Sequence, residues 1–128
     1  MVNSSKIYKS RSTGLIVSPI GNAEEMLKLG SEDLQELPEM SPELEGKEKH
    51  VPLVEIEGNK ITVTVGSVHH PMDDDHFIEF VQLLKGDKVI AERRLYPSEK
   101  PVAVFYVEDA EGIRAREFCN KHGLWSSN

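Results

Sequence analysis

From residue 51 onward, apolar and polar positions alternate with a period of two. Val54 and Ile56 fall on one face and Leu53 and Glu55 on the other, up to a Gly58-Asn59 turn. Ile61-Thr62-Val63-Thr64-Val65 then repeats the alternation, so the pair reads as a hairpin with one buried face. A second hairpin is predicted over 77–91, rising through Phe77–Leu84, turning at Gly86-Asp87 and returning through Val89-Ile90-Ala91. Val102–Val107 and Ile113–Phe118 are further strands, the last leading directly to Cys119. Short strands joined by Gly, Asn and Asp turns predict an all-β, antiparallel β-sandwich.

The first part of the chain reads differently. Ile7-Tyr8-Lys9 and Gly14–Val17 suggest two short strands around a Ser10–Thr13 turn. Residues 23–29 have the pattern of one or two helical turns stopped by Gly30. Leu34 and Leu37, before Pro38, suggest a segment docked on something larger. Too few apolar residues lie here for an independent core, so residues 1–38 are expected to form a small appendage and 39–128 the sandwich. Residues 39–49, charged and carrying Pro and Gly, read as a linker and loop leading to His50.

A chain of 128 residues with 38% hydrophobic and 29% charged positions can bury a real core without a metal. Its net charge of −7 argues against nucleic acid or an anionic membrane as partner. No apolar run reaches the length of a membrane span, and no charged-then-apolar start reads as a signal peptide. With a single cysteine, which excludes an intrachain disulfide, the expected compartment is a reducing cytoplasm.

Candidate chemistry gathers in three short segments. Cys119 and His122 stand at Cys-x-x-His spacing, close enough for one turn to present both side chains to one ion. His50, His70 and His76 lie upstream, each at a predicted strand end or loop. A lone cysteine is ordinarily a small buried hydrophobe and a lone histidine ordinarily structural. Five such residues in a chain with only five histidines and one cysteine form a plausible metal set: His50, His70, His76, Cys119 and His122. His69 is left out because its side chain in an extended segment points away from that of His70. Asp73-Asp74-Asp75 lacks the Gly and distal Glu of a calcium loop and reads as a solvated spacer. Met72 and Trp125 read as packing that dries the site.

Around these residues the sequence resembles the superoxide reductases, the desulfoferrodoxin and neelaredoxin family. The resemblance rests on Glu48-Lys49-His50-Val51-Pro52, on Gly66–Met72 with His76, and on Cys119-Asn120-Lys121-His122-Gly123-Leu124-Trp125. It implies an immunoglobulin-like sandwich holding one mononuclear non-haem iron, with His50, His70, His76 and His122 equatorial and Cys119 axial. It further implies that His122 binds through its other ring nitrogen, that Glu48 can take the sixth position in the oxidised state, and that Lys49 assists substrate binding and protonation. The implied reaction is the one-electron reduction of superoxide to hydrogen peroxide, with the iron re-reduced by an external rubredoxin-like donor. A homodimer or tetramer is implied as well, with the appendage as a reasonable dimer surface.

Tyr8–Gly14 resembles the start of the family's desulforedoxin-like domain, but Ser10 and Thr13 stand where cysteines would be, and Lys28-Leu29 stands where a Cys-Cys pair would be. This implies a one-iron protein with an N-terminal segment that has lost its iron ligands. Five protein ligands of mixed imidazole and thiolate type fit poorly with structural zinc, which is nearly always four-coordinate, and imidazole with thiolate suits iron. The alternative from another class is a non-catalytic sandwich module with a structural metal.

Overall fold

The alternating segments fold into two facing sheets. The structure, a computed structural model, describes residues 5–20, 32–40 and 50–127. Strands β5 (Pro52–Glu57) and β6 (Lys60–Val65) form the first hairpin, and β9 (Val102–Tyr106) pairs with β6 to complete a three-stranded antiparallel sheet. Gly58, at a left-handed φ of 61°, makes the tight turn between β5 and β6. Strands β7 (Ile78–Lys85), β8 (Lys88–Arg94) and β10 (Ile113–Cys119) belong to the opposite sheet.

Two members of that second sheet are additions to the sequence reading. Gly123–Ser126 forms β11 against β10, and Glu39–Met40, expected to be linker, forms β4. The short β4 runs parallel to β11, giving the order β4-β11-β10-β7-β8 in an otherwise antiparallel sheet. A two-residue strand carries no period of its own. Only its partner defines it.

Between the sheets lies an immunoglobulin-like sandwich core. Ile61, Val63 and Val65 meet Val81, Leu83, Ala115 and Cys119, with Ala103, Phe105 and Leu95 filling the remainder. Period-two geometry explains this set, because alternate residues of each strand face inward.

The outer face of the five-stranded sheet is also covered. Strands β1 (Tyr8–Ser10), β2 (Ile16–Val17) and β3 (Leu34–Glu36) form a small sheet of order β2-β1-β3. Ile7, Ile16 and Leu37 pack against Phe80, Phe118 and Leu124 in a second apolar cluster, in which Phe80 and Phe118 stack at 5.6 Å. The expected docking of this segment is therefore observed, whereas the helical turns expected at 23–29 lie outside the described residues.

Asp33 ties the small sheet together. It accepts hydrogen bonds from the Ser10 hydroxyl (2.5 Å), the Ser12 hydroxyl (3.0 Å) and the Ser12 backbone N–H (2.8 Å), while Thr13 N–H donates to Ser10 Oγ. These donors hold the Asp33 carboxyl below the usual carboxylate range.

Candidate metal centre

All five residues of the expected set arrive at one end of the sandwich. His50 sits in the turn before β5, and His70 follows β6, where its backbone N–H donates to Val65 O. Gly66 N–H donates to Val51 O, which ties these two segments together. His76 lies just ahead of β7, closing a turn with Asp73. Cys119 is the last residue of β10, directly paired with Gly123 at the head of β11. Asn120, Lys121 and His122 therefore form a three-residue hairpin loop, and Gly123 restarts the strand at a φ of 91°. A side chain on Gly123 would be strained there and would place a Cβ 2.8 Å from Cε of Met40.

The four imidazoles form a closed ring. Centroid separations run 4.9 Å from His50 to His70, 4.8 Å from His70 to His76, 5.0 Å from His76 to His122 and 4.5 Å from His122 to His50. Donor atoms of His50, His70, Cys119 and His122 all lie within 4.8 Å of one another. Trans ligands about 2.1 Å from a common ion stand about 4 Å apart, so this set needs little movement to close on one metal. His76 completes the ring, and its Nε2 is buried with no hydrogen-bond partner. A buried imidazole nitrogen that no protein group satisfies is what a metal would occupy.

The surroundings fix ring orientations. His70 Nδ1 stands 2.7 Å from Pro71 O; a carbonyl only accepts, so Nδ1 carries the proton and Nε2 keeps its lone pair. Trp125 stacks on His50 at 5.1 Å with an 18° interplanar angle, and its Nε1 donates to His122 O at 3.0 Å. Trp125 thus supports one histidine by its face and the backbone of another by its edge, a more specific role than the packing expected. Met72 is half-buried against the core, and its sulfur accepts from Ile78 N–H. His69 is exposed, the surface histidine that the sequence reading expected.

Cys119 is fully buried while His122 is exposed, so the set runs from the core to solvent. His122 Nδ1 lies 3.7 Å from the Cys119 sulfur. Burial pushes the Cys119 thiol up; the backbone N–H groups of Lys121 and His122 oppose this, and the carboxyls of Glu117 and Glu79 add to it. Binding a cation at the sulfur therefore has to displace a proton. Glu48 and Lys49, named for the sixth position and for substrate binding, lie outside the described residues.

One buried acid near the site was not foreseen. Glu117 lies two residues before Cys119, between Val81 and Trp125 in register, on the core-facing side shared with Ala115. Neither carboxyl oxygen has a hydrogen-bond partner, and burial pushes the group well above its usual range. Glu117→Met keeps the length of the side chain and removes the carboxyl. It is expected to stabilise the fold by about 1–3 kcal/mol, read as a higher urea midpoint at unchanged slope.

Comparison with known proteins places these residues in context. The family model described as Desulfoferrodoxin matches residues 43–128. A desulfoferrodoxin homolog of Archaeoglobus fulgidus is 39% identical over 122 residues, covering 95% of each chain. The desulfoferrodoxin of Nitratidesulfovibrio vulgaris is 38% identical over 127 residues, covering 99% of this chain and 98% of its own. Among solved structures, the superoxide reductase from Treponema pallidum superposes with a TM-score of 0.73 at 29% identity, covering 96% of this chain and 97% of that one.

Proposed function

The chain belongs to the desulfoferrodoxin family, and from that premise we propose that it is a superoxide reductase, reducing superoxide to hydrogen peroxide at one mononuclear non-haem iron. The observation that carries this reading is the closed ring of four imidazoles beside a single buried cysteine sulfur. His50, His70, His76 and His122 would hold the iron with Cys119, His70 and His76 through Nε2 and His122 through Nδ1. When bound, the iron supplies the electron and a Lewis-acidic position for the anion.

The chain's own groups do the rest. The N–H groups of Lys121 and His122 beside the sulfur moderate its basicity. Trp125 and the core beneath Cys119 keep water from the buried side of the site, so an anion enters where His122 is exposed. Lys49, adjacent to His50, supplies local positive charge and a proton against a net charge of −7. Glu48, two residues before His50, would offer the oxidised iron a further carboxylate ligand.

In this reading residues 1–38 are a desulforedoxin-like segment without iron ligands, and 39–128 the iron-binding sandwich. The Ser10–Ser12–Asp33 knot replaces a metal as the tie of the small sheet. Electrons come from an external rubredoxin-like donor, and the protein works in the cytoplasm as a homodimer. Among the described residues no helix is long and apolar enough to cross a membrane.

The test is a stoichiometry. Anaerobically reduced, iron-loaded protein is given measured pulses of superoxide. The expected product is one hydrogen peroxide per superoxide consumed, with an equal amount of iron oxidised and no dioxygen released. Release of dioxygen at half that peroxide yield, or a protein that takes up zinc and not iron, defeats the proposal.

A further inference from the structure

We propose that Asn120 is the positioning residue for His76, clamping the fourth imidazole to the Cys119–His122 loop; the inference rests on the metal centre proposed above. His76 arrives on a turn of its own, closed by Asp73 N–H to His76 O at 2.9 Å and His76 N–H to Asp73 O at 3.2 Å. These bonds fix the shape of the turn, and the Ile78–Cys119 pairing fixes its far end, which leaves the segment around His76 itself to be tied to the other ligands. Asp73, Asp74 and Asp75 are exposed and add no packing. No hydrogen bond to the His76 ring forms among the described residues, in contrast to His70 with its bond to Pro71 O.

Asn120 supplies the missing restraint from the other side of the site. Its Oδ1 accepts from Phe77 N–H at 3.0 Å, its Nδ2 donates to Asp75 O at 2.9 Å, and its backbone N–H donates to Phe77 O at 3.3 Å. The three bonds grip both chain neighbours of His76, and Asn120 directly follows Cys119. Beside the Ile78–Cys119 pairing of β7 with β10, these bonds hold the turn that carries His76 to the loop that carries Cys119 and His122.

The chemistry requires a carboxamide, because one planar group must accept and donate at once. Aspartate keeps the bond from Phe77 and loses the one to Asp75, setting a carboxylate oxygen against a carbonyl. Alanine loses both side-chain bonds. Outer-shell groups that orient ligands change metal affinity by about 10–100-fold.

The experiment titrates metal-free protein with Co²⁺, whose visible bands report both thiolate ligation and coordination number. Asn120→Ala is expected to bind about 10–100-fold more weakly than wild type, with bands shifted to those of His76→Ala. The double variant should bind no more weakly than His76→Ala, since the clamp acts only through that imidazole. Wild-type affinity in Asn120→Ala, or penalties that add in the double variant, overturns the clamp. If circular dichroism shows Asn120→Ala unfolded, Asn120→Asp decides. Weaker binding non-additive with His76→Ala supports the clamp, and wild-type binding overturns it. Wild-type protein that takes up no Co²⁺ overturns the metal centre, and the clamp with it.

Discussion

Cys119→Ser is expected to remove the thiolate-to-ferric absorption of the oxidised iron protein and to lower superoxide reduction by at least about a hundredfold. That figure is the upper end of what loss of an outer-shell partner costs, and Cys119 is a direct ligand in the proposed centre. A serine hydroxyl is a hard, weakly acidic donor, whereas a thiolate pushes electron density onto the iron and stabilises its oxidised form. Substitution also sets a hydroxyl in a fully buried position of the core, at a cost of about 1–3 kcal/mol. A core built from two sheets should absorb this, so the variant should remain folded by circular dichroism. Activity lost while the fold persists assigns the sulfur to chemistry. Full activity, or an unchanged visible spectrum, removes Cys119 from the centre.

The legibility of the site in the sequence has a physical origin. His50, His70, His76, Cys119 and His122 sit where predicted strands begin or end, so reading the hairpins correctly already gathers most of them at one end of the sandwich. The alternation was plainest over 61–65, where β6 buries every second residue, while β7 and β10, buried on both faces, were readable as strands from their apolar and β-branched runs between turns. Features set by distant partners left no such trace. Strand β4 exists only because β11 pairs with it. Asp33 has no local signature, and its partners Ser10 and Ser12 lie more than twenty residues earlier. Asn120 gains its meaning from Asp75 and Phe77 across the site. Arg116 and Glu117 look alike as charged positions in an alternating strand. One faces the interior without a partner, and the other lies beneath the N-terminal segment with several.

That contrast makes Arg116 the position whose loss should destabilise most. Arg116 is 1% exposed on the outer face of the five-stranded sheet, where Ser5 and Glu39 cover it. Its Nε donates to Gln82 Oε1 at 2.7 Å, its Nη1 to Glu39 Oε2 at 3.2 Å and its Nη2 to the Ser5 carbonyl. Gln82 in turn donates to Glu92, and Arg114 pairs with the other oxygen of Glu39 at 2.5 Å. Arg116→Ala strands Gln82 Oε1, removes one bond to the Ser5 carbonyl and opens a cavity under the N-terminal segment. Stranding the buried Gln82 acceptor costs about 1–3 kcal/mol and the cavity adds to it, and a loss of at least that size is expected in urea unfolding at neutral pH. Glu39→Gln should cost less, because Glu39 is partly exposed and Arg116 keeps its other two acceptors. The same pair predicts an acid response. Burial works to raise the Glu39 carboxyl, but Arg114 and Arg116 outweigh it and hold the group below its usual range. A depressed carboxylate contributes stability above its unfolded pKa and loses it as pH falls through the folded value. Wild-type stability should therefore decline below about pH 4, and Glu39→Gln should flatten part of that decline. Urea midpoints at neutral pH and at about pH 3 measure both effects, and a wild-type slope retained in Glu39→Gln would assign the acid response to other carboxylates such as Asp33.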